Sequence, residues 1–244
     1  GLAVTQIECR RRTAAKLPSF LKNPHFFFPS KLASEQASDE AVARFHASLV
    51  GEDERCADLT GGLGIDAMTI AAKCRSMDAY ELDSDKSAAL RHNAAVMGLE
   101  NMRVLPAGDS LRILAEGDDS YDVIFIDPAR RDGADKRTYA FSDCTPDVTA
   151  AMPLIMSRCN RLIIKASPML DITDCLRRLP NLARICSVAR KGECKEVLTV
   201  VERDYSGSPF IEAVDILGDD KLVRHVAFTE PVADDIVDFP LDAE

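Results

Sequence analysis

The stretch Asp58-Leu59-Thr60-Gly61-Gly62-Leu63-Gly64-Ile65-Asp66 decides the fold of this chain. It follows a predicted short strand over residues 55–57 and precedes an apolar run, residues 67–73, that predicts a helix. Its glycines therefore lie where a strand turns sharply into a helix. Glycine permits positive φ there and lets a ligand approach bare backbone, while the start of the helix offers unpaired N–H groups. The stretch is predicted to be a ligand-binding turn.

Two ligands are compatible with this turn. Gly62, Gly64 and Ala67 fit the G-x-G-x-x-G/A pattern of dinucleotide-binding proteins, and Glu81 lies about where a ribose-binding acid is expected. The same arrangement suits S-adenosylmethionine. The turn alone does not decide between a nicotinamide dinucleotide and S-adenosylmethionine, and an ordinary tight turn is the third interpretation.

Length and composition favour a globular protein. The 244 residues suffice for one large α/β domain, or for a domain with an appendage. No apolar run approaches the ~18 residues that a membrane span needs, and the N-terminus lacks the apolar region of a signal peptide, so the expected location is cytoplasmic without membrane contact. The eight cysteines form no C-x-x-C pair and have no histidine at metal-ligand spacing. They are predicted to be free thiols without a metal.

The net charge of −10 argues against nucleic-acid binding through global charge, but it leaves room for a local basic surface. The chain begins with Gly1 and stops in an acidic segment, residues 233–244. We expect it to be a piece of a longer protein whose other parts could carry substrate specificity.

Residues 1–50 predict an N-terminal helical segment. Residues 1–23 predict a helix and a turn, and the Phe26-Phe27-Phe28 stretch is expected to be half-buried or a lid. Ser34 is predicted to cap a helix over residues 35–49. The basic residues of the first 23 positions form either a solvated helix face or a patch for a polyanion: Arg10, Arg11, Arg12, Lys16 and Lys22.

Strands alternate with helices after the glycine turn, which predicts a parallel sheet with helices on both faces. The runs at residues 123–126 and 162–164 are apolar throughout, as central parallel strands are. The last two predicted strands, residues 183–189 and 196–202, are joined by six residues. That link is too short for a parallel crossover and predicts antiparallel neighbours. The predicted fold is α/β, doubly wound, with a mostly parallel seven-stranded sheet and an antiparallel last strand.

Polar groups end each strand that follows the turn, and ligands bind at the carboxyl ends of such sheets. Glu81 ends the second strand, with Asp83 as its alternative for a ribose. The other strand ends carry Asp58 (first), Gly108-Asp109 (third), Asp127-Pro128-Ala129-Arg130 (fourth) and Lys165-Ala166-Ser167-Pro168 (fifth). Asp66, at the end of the turn, and Leu82, next to Glu81, are assigned to the same crevice.

This series resembles the class I S-adenosylmethionine-dependent methyltransferases over residues 58–202, and the resemblance implies their Rossmann-like fold and their cofactor. It places Asp58, Thr60, Gly61, Gly62 and Gly64 around the methionine end, Glu81 at the ribose and Asp109 at the adenine. Asp127 and Pro128 would face the group that receives the methyl. Thr60 departs from the pattern by replacing a glycine, which suggests a hydroxyl for the methionine end. Ala129 and Arg130 replace a Pro-aromatic pair, so an aromatic stacking platform is missing.

The wider pattern is similar to a bacterial group of proposed methyltransferases with a C-terminal ferredoxin-like segment and THUMP-like domain. The motifs that carry this likeness include Pro29-Ser30, Glu35-Gln36-Ala37-Ser38, Asp127-Pro128-Ala129-Arg130-Arg131 and Lys165-Ala166-Ser167-Pro168-Met169-Leu170-Asp171. The resemblance implies an N-terminal segment at residues 1–50, a methyltransferase domain at 51–204 and a truncated appendage from 205, with strands near residues 210–216 and 221–228. THUMP-type domains are associated with RNA modification.

The expected catalytic residues follow from the transfer itself. Asp127 is the candidate for holding or deprotonating an acceptor N–H or O–H, with the Pro128 carbonyl as second acceptor. Lys165 sets the local charge or contacts a phosphate. Cys194 is the candidate for a nucleophilic cysteine, although a structural role suits it better.

RNA is the predicted acceptor, because the residues expected at the mouth of the site are basic: Arg130, Arg131, Lys136, Arg137 and Lys165. Arg130 could also stack on a base in place of the missing aromatic. Alternatively, these residues pair with Asp132, Asp135 and Asp143 on a solvated loop. A small-molecule or protein acceptor, and a binding module without catalysis, remain alternatives. The oligomeric state is open.

Overall fold

The computed structural model describes residues 1–130, 141–218 and 222–228. Its helices are α1 (Leu2–Thr13), α2 (Lys31–Gln36), α3 (Glu40–Ser48), α4 (Ile65–Ala71), α5 (Ser84–Val96), α6 (Ser110–Glu116), α7 (Val148–Arg158) and α8 (Ile172–Arg178). Its strands are β1 (Arg55–Asp58), β2 (Ser76–Ala79), β3 (Met102–Val104), β4 (Tyr121–Ile126), β5 (Ala129–Arg130), β6 (Cys144–Thr145), β7 (Cys159–Ala166), β8 (Leu182–Arg190), β9 (Glu193–Glu202), β10 (Phe210–Ile216) and β11 (Leu222–Phe228). Short 3-10 turns span Phe20–Lys22 and Phe141–Asp143.

The seven predicted strands form one sheet in the order β3-β2-β1-β4-β7-β9-β8. All are parallel except β9, which runs antiparallel between β7 and β8. Lys191 and Gly192, both with positive φ, close the tight turn between β8 and β9. This confirms the predicted α/β fold and its antiparallel last strand, because two residues cannot make a parallel crossover.

Two strands from the end of the chain continue the same sheet. β10 pairs parallel with β8, and β11 pairs antiparallel with β10, so the sheet of the described residues has nine strands. These strands lie where residues 210–216 and 221–228 predicted them. The assignment of residues 205–244 to a ferredoxin-like or THUMP-like appendage stays a prediction, and the acidic segment from residue 233 lies outside the described residues.

The hydrophobic core covers both faces of the sheet because successive residues of β4 point to opposite sides. Ile124 and Ile126 pack with α6 and α7 on one face, whereas Val123 and Phe125 pack with α3 and α4 on the other. All four side chains are essentially inaccessible to solvent. This two-sided burial is what the continuous apolar run of β4 predicts.

A third cluster joins the N-terminal segment to the glycine turn. Phe26 and Phe28 are fully buried against Leu63, Ile65 and Met68, which belong to the turn and α4. Phe27 points away from this cluster and is half-buried. The N-terminal segment therefore packs against the outside of the glycine turn.

The single helix predicted over residues 35–49 is wrong. The structure has two helices there, α2 and α3, with a break at residues 37–39. Ser30 caps α2 by accepting from the Ala33 N–H, and Asp39 caps α3 by accepting from the Ala41 N–H. Ser34, the predicted cap, lies inside α2 and donates to the Lys31 carbonyl. A local Asp cap starts a new helix and overrides the apolar i, i+4 spacing.

None of the described helices is long and apolar enough to cross a membrane. All eight cysteines are free thiols; Cys194 is exposed and the others are buried. The described residues hold no group of three or more histidine, cysteine or acidic side chains that could bind a metal.

We expect Phe28→Ala to lower the free energy of unfolding by about 3–5 kcal/mol, because it leaves a cavity beneath the glycine turn. Phe210→Ala is the matched control, since Phe210 is 43% exposed and contacts mainly Arg184. It should cost less than about 1 kcal/mol. Urea unfolding of both variants measures the difference, and equal losses would contradict a buttressing role for the N-terminal segment.

Candidate functional site

The glycine turn is held against its neighbours by close packing. The Gly61 N–H donates to the Tyr80 carbonyl at 2.7 Å, and a Cβ on Gly61 would lie 2.8 Å from Leu90. Gly64 has φ +90°, and its Cβ would lie 2.0 Å from Leu90. Gly62, with φ +54°, differs because the nearest atom to its Cβ is the Thr60 carbonyl oxygen at 3.8 Å. Gly61 and Gly64 thus serve the protein's own packing, and Gly62 leaves space for a ligand.

Asp58 and Thr60 tie the ends of two strands together. The buried Asp58 carboxylate accepts from the Thr60 N–H at 2.8 Å and from its hydroxyl at 3.2 Å. The Thr60 hydroxyl accepts in turn from the Asp127 N–H at 2.7 Å. Burial raises the pKa of Asp58 to about 7, assisted by the charges of Asp66 and Asp127 and opposed by the Thr60 hydrogen bonds. A ligand contact of Thr60 stays a prediction.

Glu81 is bound directly to the glycine turn. Its carboxylate accepts from the Gly62 N–H at 2.7 Å and from the Asp83 N–H at 2.8 Å. Asp83, the alternative for a ribose, instead caps α5 by accepting from two N–H groups of its first turn. Leu82 is 68% exposed beside Glu81, which leaves an apolar surface at the end of β2. Glu81 is therefore the acid that the structure places at the turn.

Asp109 caps α6 by accepting from the Leu111 and Arg112 N–H groups, at 2.9 and 3.2 Å. Asp109 remains exposed, so an adenine could reach it, and the predicted adenine contact stays a prediction. The Gly108 N–H donates to the Glu81 carbonyl at 3.1 Å. This bond holds the chain after β3 beside the chain after β2.

Asp127 and Lys165 form an ion pair where β4 and β7 end. The Lys165 ammonium donates to Asp127 Oδ2 at 2.6 Å and to the Ser38 hydroxyl at 3.0 Å. The Lys165 side chain is only 14% exposed, whereas Asp127 keeps 41% exposure. Lys165 is thus mostly buried and bonded to protein groups, and both of its predicted roles, setting the local charge or contacting a phosphate, stay predictions. The carboxylate of Asp127 is the group that faces the crevice.

Pro128 is buried directly after Asp127, and the following β5 pairs antiparallel with β6. The backbone of Arg130 thus belongs to β5, three residues after Asp127, and its place at the mouth of the site stays a prediction. The remaining basic positions, Arg131, Lys136 and Arg137, lie outside the described residues, as do Asp132 and Asp135. The side chains of Arg130 and Asp143 are outside them as well.

A buried histidine lies behind the ion pair, and the sequence interpretation missed it. His46 of α3 is fully buried and contacts Asp66 Oδ1 through Nδ1 at 2.8 Å and the Glu196 carboxylate through Nε2. Burial alone would lower the pKa of His46, but the two carboxylates raise it to about 10. His46 is therefore an imidazolium that donates to both carboxylates at neutral pH.

Asp66, predicted to bind the cofactor, instead faces this histidine. Its carboxylate also accepts from the Ser38 hydroxyl and lies 4.0 Å from the Lys165 ammonium. Burial would raise the pKa of Asp66, yet Lys165 and His46 together hold it below the usual range. No sequence motif indicates this arrangement, since His46 lies in an apolar helix and Glu196 precedes an apolar strand run.

Cys194 lies exposed on β9, with its thiol 3.5 Å from the Ser187 hydroxyl. Among the described contacts, none joins it to Asp127 or to the glycine turn. A nucleophilic role for Cys194 therefore gains no support.

The chain resembles solved structures of methyltransferases. A "putative methyltransferase" from Porphyromonas gingivalis W83 superimposes with a TM-score of 0.83 and 30% sequence identity over 93% of this chain. This chain spans 57% of that protein's length. A predicted O-methyltransferase from Agrobacterium tumefaciens aligns with a TM-score of 0.50 and 22% identity over 70% of this chain and 85% of that one. The fold is thus the Rossmann-like fold that these methyltransferases share.

No protein-family model matches the sequence, and no curated protein matches it either.

We expect Gly64→Ala to destabilise the protein much more than Gly98→Ala. Both glycines have positive φ, but a Cβ on Gly98 meets nothing within 4 Å. Gly98→Ala should therefore cost only the backbone strain of about 1–2 kcal/mol. Gly64→Ala must also displace the buried Leu90. Urea unfolding of the two variants isolates this packing effect, and equal losses would show that Leu90 yields freely.

Proposed function

We propose that this chain binds S-adenosylmethionine and transfers its methyl group to an acceptor held at Asp127. The observation that carries the proposal is the bond between the Gly62 N–H and the Glu81 carboxylate, with Asp127 at the same edge of the sheet. In this fold, ligands bind at the carboxyl ends of the strands. The similarity to the Porphyromonas gingivalis protein supports the same class of activity.

The alternative of a nicotinamide dinucleotide accounts for fewer features. It explains Gly62, Gly64 and Glu81, but it gives no role to the Asp127–Lys165 pair. It also gives no account of the antiparallel β9 between β7 and β8. The methyltransferase interpretation accounts for both features, and we favour it.

The residues at the strand ends fit S-adenosylmethionine by their chemistry. Glu81 retains lone pairs that can accept from ribose hydroxyls, Leu82 offers an apolar surface beside them, and the exposed Asp109 can accept from the adenine amine. Asp58, with a pKa near 7, offers a carboxylate to a cationic amino group. When bound, the cofactor supplies an activated methyl group, so the chain's own task is mainly to orient the acceptor.

Asp127 would orient the acceptor through its carboxylate. Lys165 occupies Oδ2, which leaves Oδ1 to accept from an N–H or O–H of the acceptor. The Pro128 carbonyl is the second acceptor in this proposal. Burial raises the pKa of Asp127, and the Lys165 ammonium opposes that rise by stabilising the carboxylate, which can accept this hydrogen bond or take the proton that the acceptor releases.

Isothermal titration should show binding of S-adenosylmethionine and S-adenosylhomocysteine but not of NADH. Glu81→Gln should weaken this binding about 10-fold or more, because it replaces one acceptor oxygen by an amide donor and disturbs the Gly62 contact. Glu100→Gln, an exposed change in the turn after α5, is the matched control and should leave binding unchanged. Binding of NADH alone would contradict the cofactor assignment.

We propose RNA as the acceptor class. The support comes from the basic sequence that begins at Arg130, two residues after Pro128, and from Lys16. The Lys16 ammonium donates to the Glu35 carbonyl at 3.1 Å, and its pKa is lowered, first by partial burial and then by the charge of Lys165. Phosphates are recognised locally and are screened within about 8–10 Å, so the acidic net charge is compatible with a basic rim.

A small molecule or a protein is the second candidate acceptor. Leu82 and Met169 are each 68% exposed after β2 and β7, and apolar side chains there favour an apolar acceptor group. A binding module without catalysis is a further alternative, motivated by Ala129 and Arg130 in place of the usual Pro-aromatic pair.

Transfer of tritiated methyl groups to total RNA, protein extract and small metabolites tests these alternatives. We expect label in RNA, and Asp127→Asn should reduce it about 100-fold or more because the acceptor loses its carboxylate partner. Asp174→Asn, on α8 where the carboxylate contacts Arg178, is the control. Charge reversal at Arg130 and Arg131 should weaken RNA labelling.

Label in protein or metabolites alone, with RNA labelling absent, would refute the RNA assignment. Cofactor binding without transfer to any of the three pools would favour the binding module.

A further inference from the structure

Five side chains, four of them ionisable, form one polar cluster behind Asp127. Its members are Ser38 before α3, His46 of α3, Asp66 of α4, Lys165 of β7 and Glu196 of β9. His46 is fully buried, and Glu196 is 3% exposed. The cluster thus joins the N-terminal segment to β7 and β9 on the face of the sheet that α3 and α4 cover.

Charges of opposite sign alternate through the cluster. His46 contacts Asp66 and Glu196, and these two carboxylates lie 4.0 and 3.9 Å from the Lys165 ammonium. Lys165 in turn donates to Asp127 at 2.6 Å. His46 and Lys165 therefore share the same two carboxylates. Any change at His46 alters the field that holds the Lys165 ammonium.

The charged groups that face this cluster in the described part of the chain come from every element packed around it. They are Lys16 after α1, His46 of α3, Asp58 of β1, Asp66 of α4, Asp127 after β4, Lys165 of β7 and Glu196 of β9.

We propose that His46 and Ser38, both in the N-terminal segment, are positioning residues for the Lys165–Asp127 pair. His46 offsets one of the two negative charges of Asp66 and Glu196, so the ammonium of Lys165 is left to bond Asp127. Ser38 fixes the direction of that ammonium through its hydroxyl. Asp127 is thereby held with one oxygen occupied and the other open to the acceptor. This inference rests on the proposed function of Asp127.

The geometry supports a positioning role for the cluster over a purely stabilising one. Apolar side chains of similar volume stabilise a buried site as well as an ion cluster does, so stability alone does not call for these charges. Apolar side chains also border the cluster, since the Phe125 ring lies 5.3 Å from the His46 ring. The partly exposed end of the cluster is Asp127, which faces the crevice.

The test measures the pKa of Asp127 by carboxyl ¹³C NMR in the ligand-free protein, with Asp127→Asn to assign the signal. In His46→Gln, Asp66 and Glu196 lose their shared cation and draw Lys165 away from Asp127. The pKa of Asp127 should rise by about one unit, because a carboxylate that loses a nearby cation is harder to ionise. Ser38→Ala should give a smaller rise in the same direction.

Two further variants separate positioning from loss of fold. His46→Gln combined with Glu196→Gln removes one charge of each sign and should return the pKa of Asp127 most of the way to the wild-type value. Ser48→Ala, at the other end of α3, removes a hydroxyl that bonds only the Phe45 carbonyl in the described contacts and should change nothing. An unchanged pKa of Asp127 in His46→Gln, despite reduced unfolding stability, would overturn the proposal.

Methyl transfer to total RNA provides the functional measurement. For His46→Gln, kcat should fall, and the acidic limb of its pH profile should move to higher pH by as much as the pKa of Asp127 rises. KM for S-adenosylmethionine should stay unchanged. An unmoved limb with a raised KM would also overturn the positioning role. If wild-type protein transfers no methyl, the proposed function fails, but the NMR titration still decides the inference.

Discussion

The contact of His46 with Asp66 and Glu196 is the interaction on which the candidate site depends. Taking ions out of water costs several kcal/mol each, and only close partners of opposite charge offset that cost. The histidine, both carboxylates and Lys165 therefore have to be in place together. Because they come from α3, α4, β9 and β7, this requirement fixes the N-terminal segment onto the sheet at the edge where the ligand would bind.

The glycine turn depends on the same segment through apolar contacts. Leu63 lies within the turn, and its side chain packs among Phe26 and Phe28 on the outside. On the inside, Gly61 and Gly64 approach Leu90 so closely that no Cβ fits without displacement. The turn is thus clamped between α5 and the N-terminal segment. Gly62 is left facing open space, so a rigid loop presents its backbone to the crevice.

Rigid strand ends explain how the remaining polar groups converge. Thr60 bridges β1 and β4, the Glu81 carboxylate joins β2 to the turn, and Gly108 bonds the chain after β2. Each group satisfies a backbone N–H or carbonyl that would otherwise be left unpaired at a strand end. Asp83 and Asp109 serve as helix caps, which is the ordinary use of an acid after a strand. Asp127 is different, because its carboxylate pairs with a lysine and remains accessible.

The sequence by itself determined the alternation of strands and helices, the glycine turn and the acids at the strand ends. Each of these features depends on residues that are close together in the chain. Local periodicity predicts the strands and helices, and the short link predicts that β9 is antiparallel. The apolar spacing wrongly predicted one continuous helix through residues 37–39, where an Asp cap starts a new helix. Only the tertiary structure decided that His46, Ser38 and Glu196 meet Lys165. Glu196 lies 150 residues from His46 in the sequence. No periodic pattern marks a buried charged pair, because its partners meet only when distant elements pack together.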